Sequence, residues 1–111
     1  MMFVTGPLYA GKREWARKVL GLTETEFAKK ALWDVQDLAG SGDLATLVER
    51  LCEREILIAT EIGGGLVPVD ADDRARREAA GRLACALAER ADVVVRVCCG
   101  LPQLLKGSLP C

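Results

Sequence analysis

The sequence predicts an α/β fold of three layers, in which helices cover both faces of a small, mostly parallel sheet of about four strands. Apolar strand-like runs alternate with helix-like runs along the chain, and this order is typical of parallel strands joined by right-handed crossovers. The clearest strand, residues 55–60, is apolar on both faces, as a central parallel strand is. A chain of 111 residues has the length of one compact domain, which we assign to residues 1–111.

The first two predicted elements lie on either side of a glycine turn. Residues 2–5 form a short apolar run that predicts a buried strand. Residues 14–20 predict a helix, and Gly21 is its expected stop signal.

The next segment allows two interpretations. Thr23 and Glu26 have the spacing of a capping box, which predicts the start of a helix. Residues 27–38 have apolar side chains at helical spacing, yet residues 31–34 also resemble a buried strand that ends in the carboxylate of Asp34. Periodicity cannot separate helix from strand over a run this short.

The second half of the chain continues the alternation. Asp43 is placed to cap a helix over residues 44–54, and residues 71–90 predict a long helix. Residues 92–98 are rich in β-branched side chains and predict a strand that is broken by Gly100 and Pro102. In such sheets ligands bind beside the carboxyl ends of the strands. Three loops are expected at those ends, and these are residues 6–12, 61–65 and 99–106.

Composition excludes several classes of protein. The net charge of −1 gives no general attraction to nucleic acid or to an anionic membrane, so we expect neither as a partner. No apolar run reaches the ~18 residues that span a bilayer, and the short, uncharged start does not resemble a secretion signal. We therefore expect a cytoplasmic protein.

The cysteines do not have the spacing of a zinc site. There are five, with no histidine and no C-x-x-C pair. Cys98 and Cys99 lie in the apolar strand-like run, so we interpret them as small hydrophobic residues in a reducing compartment.

A phosphate-binding motif follows the first strand. Residues 6–13 read GPLYAGKR and match G-x-x-x-x-G-K-[ST] except at the last position. In that motif backbone N–H groups and a helix N-terminus hold phosphates, and the lysine reaches the terminal phosphates. The candidate nucleotide-binding residues are Gly6, Pro7, Leu8, Tyr9, Ala10, Gly11, Lys12 and Arg13.

Two residues depart from the motif. Pro7 has no N–H to donate, and Arg13 offers guanidinium donors where a hydroxyl would bind magnesium. Anion binding therefore has more support than magnesium-assisted transfer, with Lys12 as the candidate catalytic cation. The alternative is an ordinary glycine turn between a strand and a helix.

Two carboxylates are candidates for the chemistry. Glu61 follows the clearest strand, where it would orient or deprotonate an attacking hydroxyl or help to hold Mg²⁺. Asp34 would hold Mg²⁺ if residues 31–34 form a strand. The alternatives are a solvated loop glutamate and a polar-face helical aspartate.

Several short motifs of the second half occur in a fixed order. Residues 60–68 read TEIGGGLVP, residues 91–92 read AD, and residues 100–102 read GLP. The other matching positions are Arg74, Arg77, Gly81, Arg82 and Lys106. Together they resemble the closing segment of the bifunctional adenosylcobinamide kinase / adenosylcobinamide-phosphate guanylyltransferase family of cobalamin biosynthesis, which also begins with a strand and a phosphate loop. Thr60 and Ala84 stand where that family has asparagine, and Arg13 where it has the loop serine.

The resemblance implies a P-loop nucleoside-triphosphate-binding fold, ATP or GTP with Mg²⁺, adenosylcobinamide as a partner, and a homo-oligomer. Guanylyl transfer through the family's histidine is excluded, because these residues include no histidine and lack the middle segment that carries it. The expected function is nucleotide binding in cobalamin biosynthesis, with phosphorylation of adenosylcobinamide. The alternative is a non-catalytic nucleotide- or corrinoid-binding or scaffold protein derived from that family.

Overall fold

The structure is a computed structural model, which describes residues 1–61 and 71–109. It confirms the α/β prediction, because strands and helices alternate as the sequence indicates. The elements in chain order are β1 (Met2–Gly6), α1 (Lys12–Val19), α2 (Glu24–Lys30), β2 (Ala31–Leu32), a 3₁₀ turn (Val35–Leu38), α3 (Leu44–Leu51), β3 (Ile56–Thr60), α4 (Ala71–Arg90), β4 (Val93–Cys98) and β5 (Leu101–Lys106).

The sheet has the strand order β2-β3-β1-β4-β5. The first four strands are parallel, and their register places Gly6 opposite Thr60 and Thr5 opposite Arg96. The carboxyl ends of β1, β3 and β4 therefore meet at one edge of the sheet.

The fifth strand was not expected. The prediction of a loop over residues 99–106 is wrong, because Cys99 and Gly100 form a left-handed turn and β5 returns antiparallel along β4. Every residue of β5 is exposed, so its sequence lacks the apolar alternation that marks a half-buried strand. Pro102 is compatible with an edge position.

Alternate side chains of the strands are buried on opposite faces, as the pleat requires. One face packs against α1 and α2, and its buried strand residues are Met2, Val4, Ala31, Ile56, Ile58, Val95 and Val97. The other face packs against α3, α4 and the 3₁₀ turn, and its buried strand residues are Phe3, Leu57, Ala59 and Val94. These two cores make the predicted three layers.

The ends of the helices follow their local signals. The capping box of α2 is present, with the Glu26 N–H donating to Thr23 Oγ1 at 3.2 Å and the Thr23 N–H to Glu26 Oε1 at 3.1 Å. Asp43 caps α3 by accepting from the Thr46 N–H at 3.1 Å. Helix α4 spans Ala71–Arg90, as expected. Helix α3 ends three residues early, where the chain turns into β3.

Both interpretations of residues 27–38 prove partly right. The helix continues to Lys30, and the backbone then becomes extended at Ala31, where β2 pairs with β3 for two residues. Asp34 adopts a left-handed conformation with φ of 58° and begins the 3₁₀ turn. Strand β2 is short because the residues before it belong to helix α2.

The interpretation of Cys98 and Cys99 as small hydrophobic residues is wrong. Both are exposed, free thiols, because β4 leaves the core after Val97 and turns into the hairpin. Cys111 and the glycine loop after Glu61 lie outside the described residues. None of the helices in the described part of the chain combines the length and the hydropathy that a bilayer crossing requires.

Candidate functional site

The loop between β1 and α1 depends on its two glycines. Gly6 has a φ of 154°, and a Cβ placed there would lie 2.1 Å from the carbonyl oxygen of Val97. Gly11 has a φ of 83° and stands immediately before α1, in the left-handed region that side chains disfavour. The two positions allow the chain to leave the sheet close to β4 and to enter the helix at once.

Main-chain hydrogen bonds tie this loop to both neighbouring strands. The Glu61 N–H, at the end of β3, donates to Gly6 O at 2.9 Å, and the Gly100 N–H in the β4–β5 turn donates to Ala10 O at 2.8 Å. The loop is therefore anchored at its start and near its end by the elements on either side of β1.

Lys12 is the buried cation of the site. It is the first residue of α1, is only 8% exposed, and its Nζ donates to Pro7 O at 2.7 Å. Pro7 thus supplies a carbonyl acceptor for the lysine of its own loop, a role that its missing N–H does not affect. Burial lowers the pKa of Lys12, whereas the negative charges of Asp34 and Glu61 oppose that shift.

Asp34 lies two residues after the end of β2. Its left-handed backbone begins the 3₁₀ turn, and its exposed carboxylate and Lys12 line the same cleft, of about 760 Å³. The structure therefore brings together two predicted site residues that are distant in sequence. The loop residues 8–13 line the same cleft. Gly6 is buried, and neither Gly6 nor Pro7 lines the cleft.

Arg13 and an aromatic pair form one side of the cleft. The guanidinium carbon of Arg13 lies 5.2 Å from the centre of the Trp33 ring, a cation–π distance. Trp33 in turn stacks on Phe27, with ring centres 6.1 Å apart and planes at 4°. Trp33 was not predicted as a site residue. Its position between an apolar strand end and Asp34 was the sequence feature that could have identified it.

Glu61 has a different environment from Asp34. Its carboxylate accepts two hydrogen bonds from Arg96, from Nε at 2.7 Å and Nη2 at 3.0 Å, and this contact raises the pKa of Arg96. Glu61 does not line the cleft but a second cavity on the α4 side of the sheet. Arg96 was not foreseen, because it lies on β4 and meets Glu61 only through the strand register.

The carboxylates limit how a metal ion could bind. In residues 1–61 and 71–109 no three or more histidine, cysteine, aspartate or glutamate side chains cluster at a distance suited to an ion. Mg²⁺ that accompanies a nucleotide takes most ligands from phosphates and water and needs only one or two carboxylates. Asp34 fits that requirement, whereas Arg13 has no oxygen ligand and Glu61 is held by Arg96.

A protein-family model described as cobinamide kinase / cobinamide phosphate guanyltransferase matches residues 22–105. The matched range includes Asp34, Glu61 and Arg96, and the phosphate-loop motif precedes it. No curated protein matches the chain.

Proposed function

Because the chain belongs to the cobinamide kinase / cobinamide phosphate guanyltransferase family, we propose that it binds ATP or GTP at residues 6–13 and phosphorylates the aminopropanol hydroxyl of adenosylcobinamide. The family implies cobalamin biosynthesis and a nucleotide-related activity. The observation that carries the proposal is Lys12, a buried ammonium group that is bound to its own loop and shares an open cleft with Asp34.

In this proposal the loop and Lys12 hold the β- and γ-phosphates. Lys12 exchanges the carbonyl of Pro7 for a phosphate oxygen, which offers a stronger, charge-assisted hydrogen bond. The guanidinium of Arg13 lies in the same cleft and adds a second positive charge. Catalysis in such transfers is mostly positioning and charge neutralisation, which these two cations supply.

Asp34 is the residue that would hold Mg²⁺ with the nucleotide. When bound, the ion would neutralise part of the charge on the phosphates. Guanylyl transfer through a histidine is not part of the proposal, because these residues include none.

A second candidate function is nucleotide or corrinoid binding without transfer. Arg13 favours it, because its guanidinium stands at the motif's metal-binding position and packs over Trp33. In that case the cation of the side chain replaces the metal ion, and the site retains phosphates without activating them. We also propose that the chain self-associates, since β5 is an edge strand on which Leu101 is 70% and Leu105 is 55% exposed.

Magnesium dependence separates the two candidates. For the enzyme, we expect calorimetric titration with ATP or GTP to show affinity about tenfold higher with Mg²⁺ than without, the effect of one carboxylate–metal contact. Asp34→Asn should remove that gain, and Asp37→Asn, at an exposed site in the 3₁₀ turn, should keep it. Equal binding with and without Mg²⁺, and no phosphate transfer to adenosylcobinamide, would favour the binding module.

The pH dependence of nucleotide binding should report the state of Lys12. Its pKa lies below the ordinary 10.5 because of burial, and phosphate binds the charged form. Affinity for ATP should therefore fall as pH rises through this lowered pKa, at a lower pH than for an exposed lysine. The free energy of unfolding should change in the opposite direction. The unfolded chain holds the Lys12 proton more tightly than the folded chain, so stability rises with pH between the lowered pKa and the ordinary one. Titrations from neutral pH to 10.5, with Lys12→Arg as the control that stays charged, would test this.

A further inference from the structure

Arg13 carries a positive charge that no carboxylate neutralises in the part of the chain that the structure describes. It is the second residue of α1, and its side chain is exposed. The next two basic residues of the same helix both pair with Glu14, Arg17 at 2.9 Å and Lys18 at 3.5 Å. The contact of Arg13 is instead with an aromatic ring. Its charge is therefore available to an anion.

An aromatic stack holds the guanidinium of Arg13. The guanidinium carbon lies 5.2 Å from the centre of the Trp33 ring, and Trp33 stacks on Phe27 with nearly parallel planes. Phe27 is only 6% exposed and belongs to the core on the α1 side of the sheet, so the Trp33 ring has a fixed support. The stack therefore restrains Arg13 before any ligand binds.

Such stacking leaves the hydrogen-bond donors of a guanidinium unused. The N–H groups lie in the plane of the guanidinium and project from its edge, whereas a ring contacts its face. Phosphate oxygens accept these donors in pairs. A long side chain loses conformational entropy when a ligand fixes it, and a side chain that is already restrained loses less. Arg13 is thus prepared to bind phosphate.

The position of Arg13 determines which form of phosphate suits the site. Lys12, Arg13 and Trp33 line one cleft of about 760 Å³. In the phosphate-loop motif the residue after the lysine has a hydroxyl that binds Mg²⁺. A guanidinium in that place repels a metal ion and attracts phosphate. Two adjacent cations therefore face a phosphate chain at the point where the motif normally supplies one cation and a metal ligand.

We propose that Trp33 is a positioning residue for Arg13, and that this pair allows the cleft to bind a polyphosphate chain that carries no metal ion. The inference rests on the proposed nucleotide site and applies to both candidate functions. For the kinase, Asp34 and Mg²⁺ would add affinity to this metal-free binding. For the binding module, metal-free binding would be the whole interaction.

The test measures binding of inorganic tripolyphosphate by calorimetry, with a chelator present to remove divalent ions. We expect the wild-type chain to bind it, and Arg13→Ser and Trp33→Leu each to bind about tenfold more weakly, the loss of one supported charge contact. Because Trp33 acts through Arg13, the double variant should bind no more weakly than Arg13→Ser alone.

Two further variants serve as controls. Trp33→Phe keeps an aromatic face for the guanidinium and should retain most of the affinity. Trp15→Leu removes the other tryptophan, which packs against the same core but does not line the cleft. This variant should bind tripolyphosphate as the wild-type chain does. Circular dichroism would establish that each variant is folded.

Several results would overturn the inference. These are no metal-free binding by the wild-type chain, wild-type affinity in Arg13→Ser or in folded Trp33→Leu, and an equal loss in Trp33→Phe or Trp15→Leu. Additive losses in the double variant would also overturn it, because Trp33 would then act independently of Arg13. The wild-type and Arg13→Ser measurements can reject the inference even if Trp33→Leu does not fold.

A separate assay of phosphate transfer from ATP with Mg²⁺ to adenosylcobinamide tests the proposed function. Metal-free binding that depends on Arg13 and Trp33, without any transfer, would reject the kinase and leave the role of Trp33 in place. Transfer without metal-free binding would support the kinase and reject the role of Trp33.

Discussion

Replacing Lys12 with alanine should lower the affinity for ATP about 100-fold, the loss that accompanies removal of a charged hydrogen-bond partner from a buried site. Lys12 is the buried cation of the cleft, and its Nζ already makes a hydrogen bond to the carbonyl of Pro7. The bound phosphates would lose their principal counter-charge. Calorimetry or equilibrium dialysis with ATP would measure the change.

Lys18→Ala is the matched control, because it removes a lysine of the same helix. The Lys18 side chain is 70% exposed and pairs with Glu14 at 3.5 Å, and such surface pairs contribute little. We expect nearly wild-type affinity for this variant. If both variants bound ATP as the wild-type chain does, the assignment of residues 6–13 as the nucleotide site would fail.

Gly6→Ala should lower the free energy of unfolding by about 3 kcal/mol or more. The added Cβ would lie 2.1 Å from Val97 O, which is main chain in β4, and the φ of 154° is unfavourable for alanine. Relief would require β1 and β4 to separate at the centre of the sheet, since β1 lies between β3 and β4. Urea unfolding followed by circular dichroism would measure the loss.

Gly81→Ala provides the comparison within the same chain. Gly81 is inside α4, and a Cβ there meets nothing within 4 Å. Alanine should therefore stabilise the protein by up to about 1 kcal/mol through helix propensity. An unfolding midpoint for Gly6→Ala at or above that of the wild-type chain would contradict the described approach of β1 to β4.

Much of the fold could be predicted because its signals are local. The caps of α2 and α3 consist of residues three positions apart, and the strands β1, β3 and β4 are short apolar runs. The segment 27–38 could not be assigned, because its helix, strand and turn are each too short for periodicity to separate. The pairing of β2 with β3 determines where its helix ends.

The candidate site could also be predicted only in part from the sequence. The sequence indicated Lys12 through the phosphate-binding motif, and Asp34 and Glu61 as carboxylates at strand ends. The structure places Lys12 and Asp34 in one cleft. The sequence could not indicate that Glu61 is held by Arg96, 35 positions away, or that Arg13 lies over Trp33. Those contacts depend on which strands and helices become neighbours.

By itself the sequence determined the alternation of strands and helices, the glycine turn before α1 and the caps, because each depends on residues within one or two turns of chain. Only the tertiary structure decided that residues 101–106 form a strand, since their pairing with β4 supplies hydrogen bonds that no local pattern announces. It also decided which carboxylate faces the cleft and which faces the α4 cavity. Strand register, set by packing on both faces of the sheet, places those side chains.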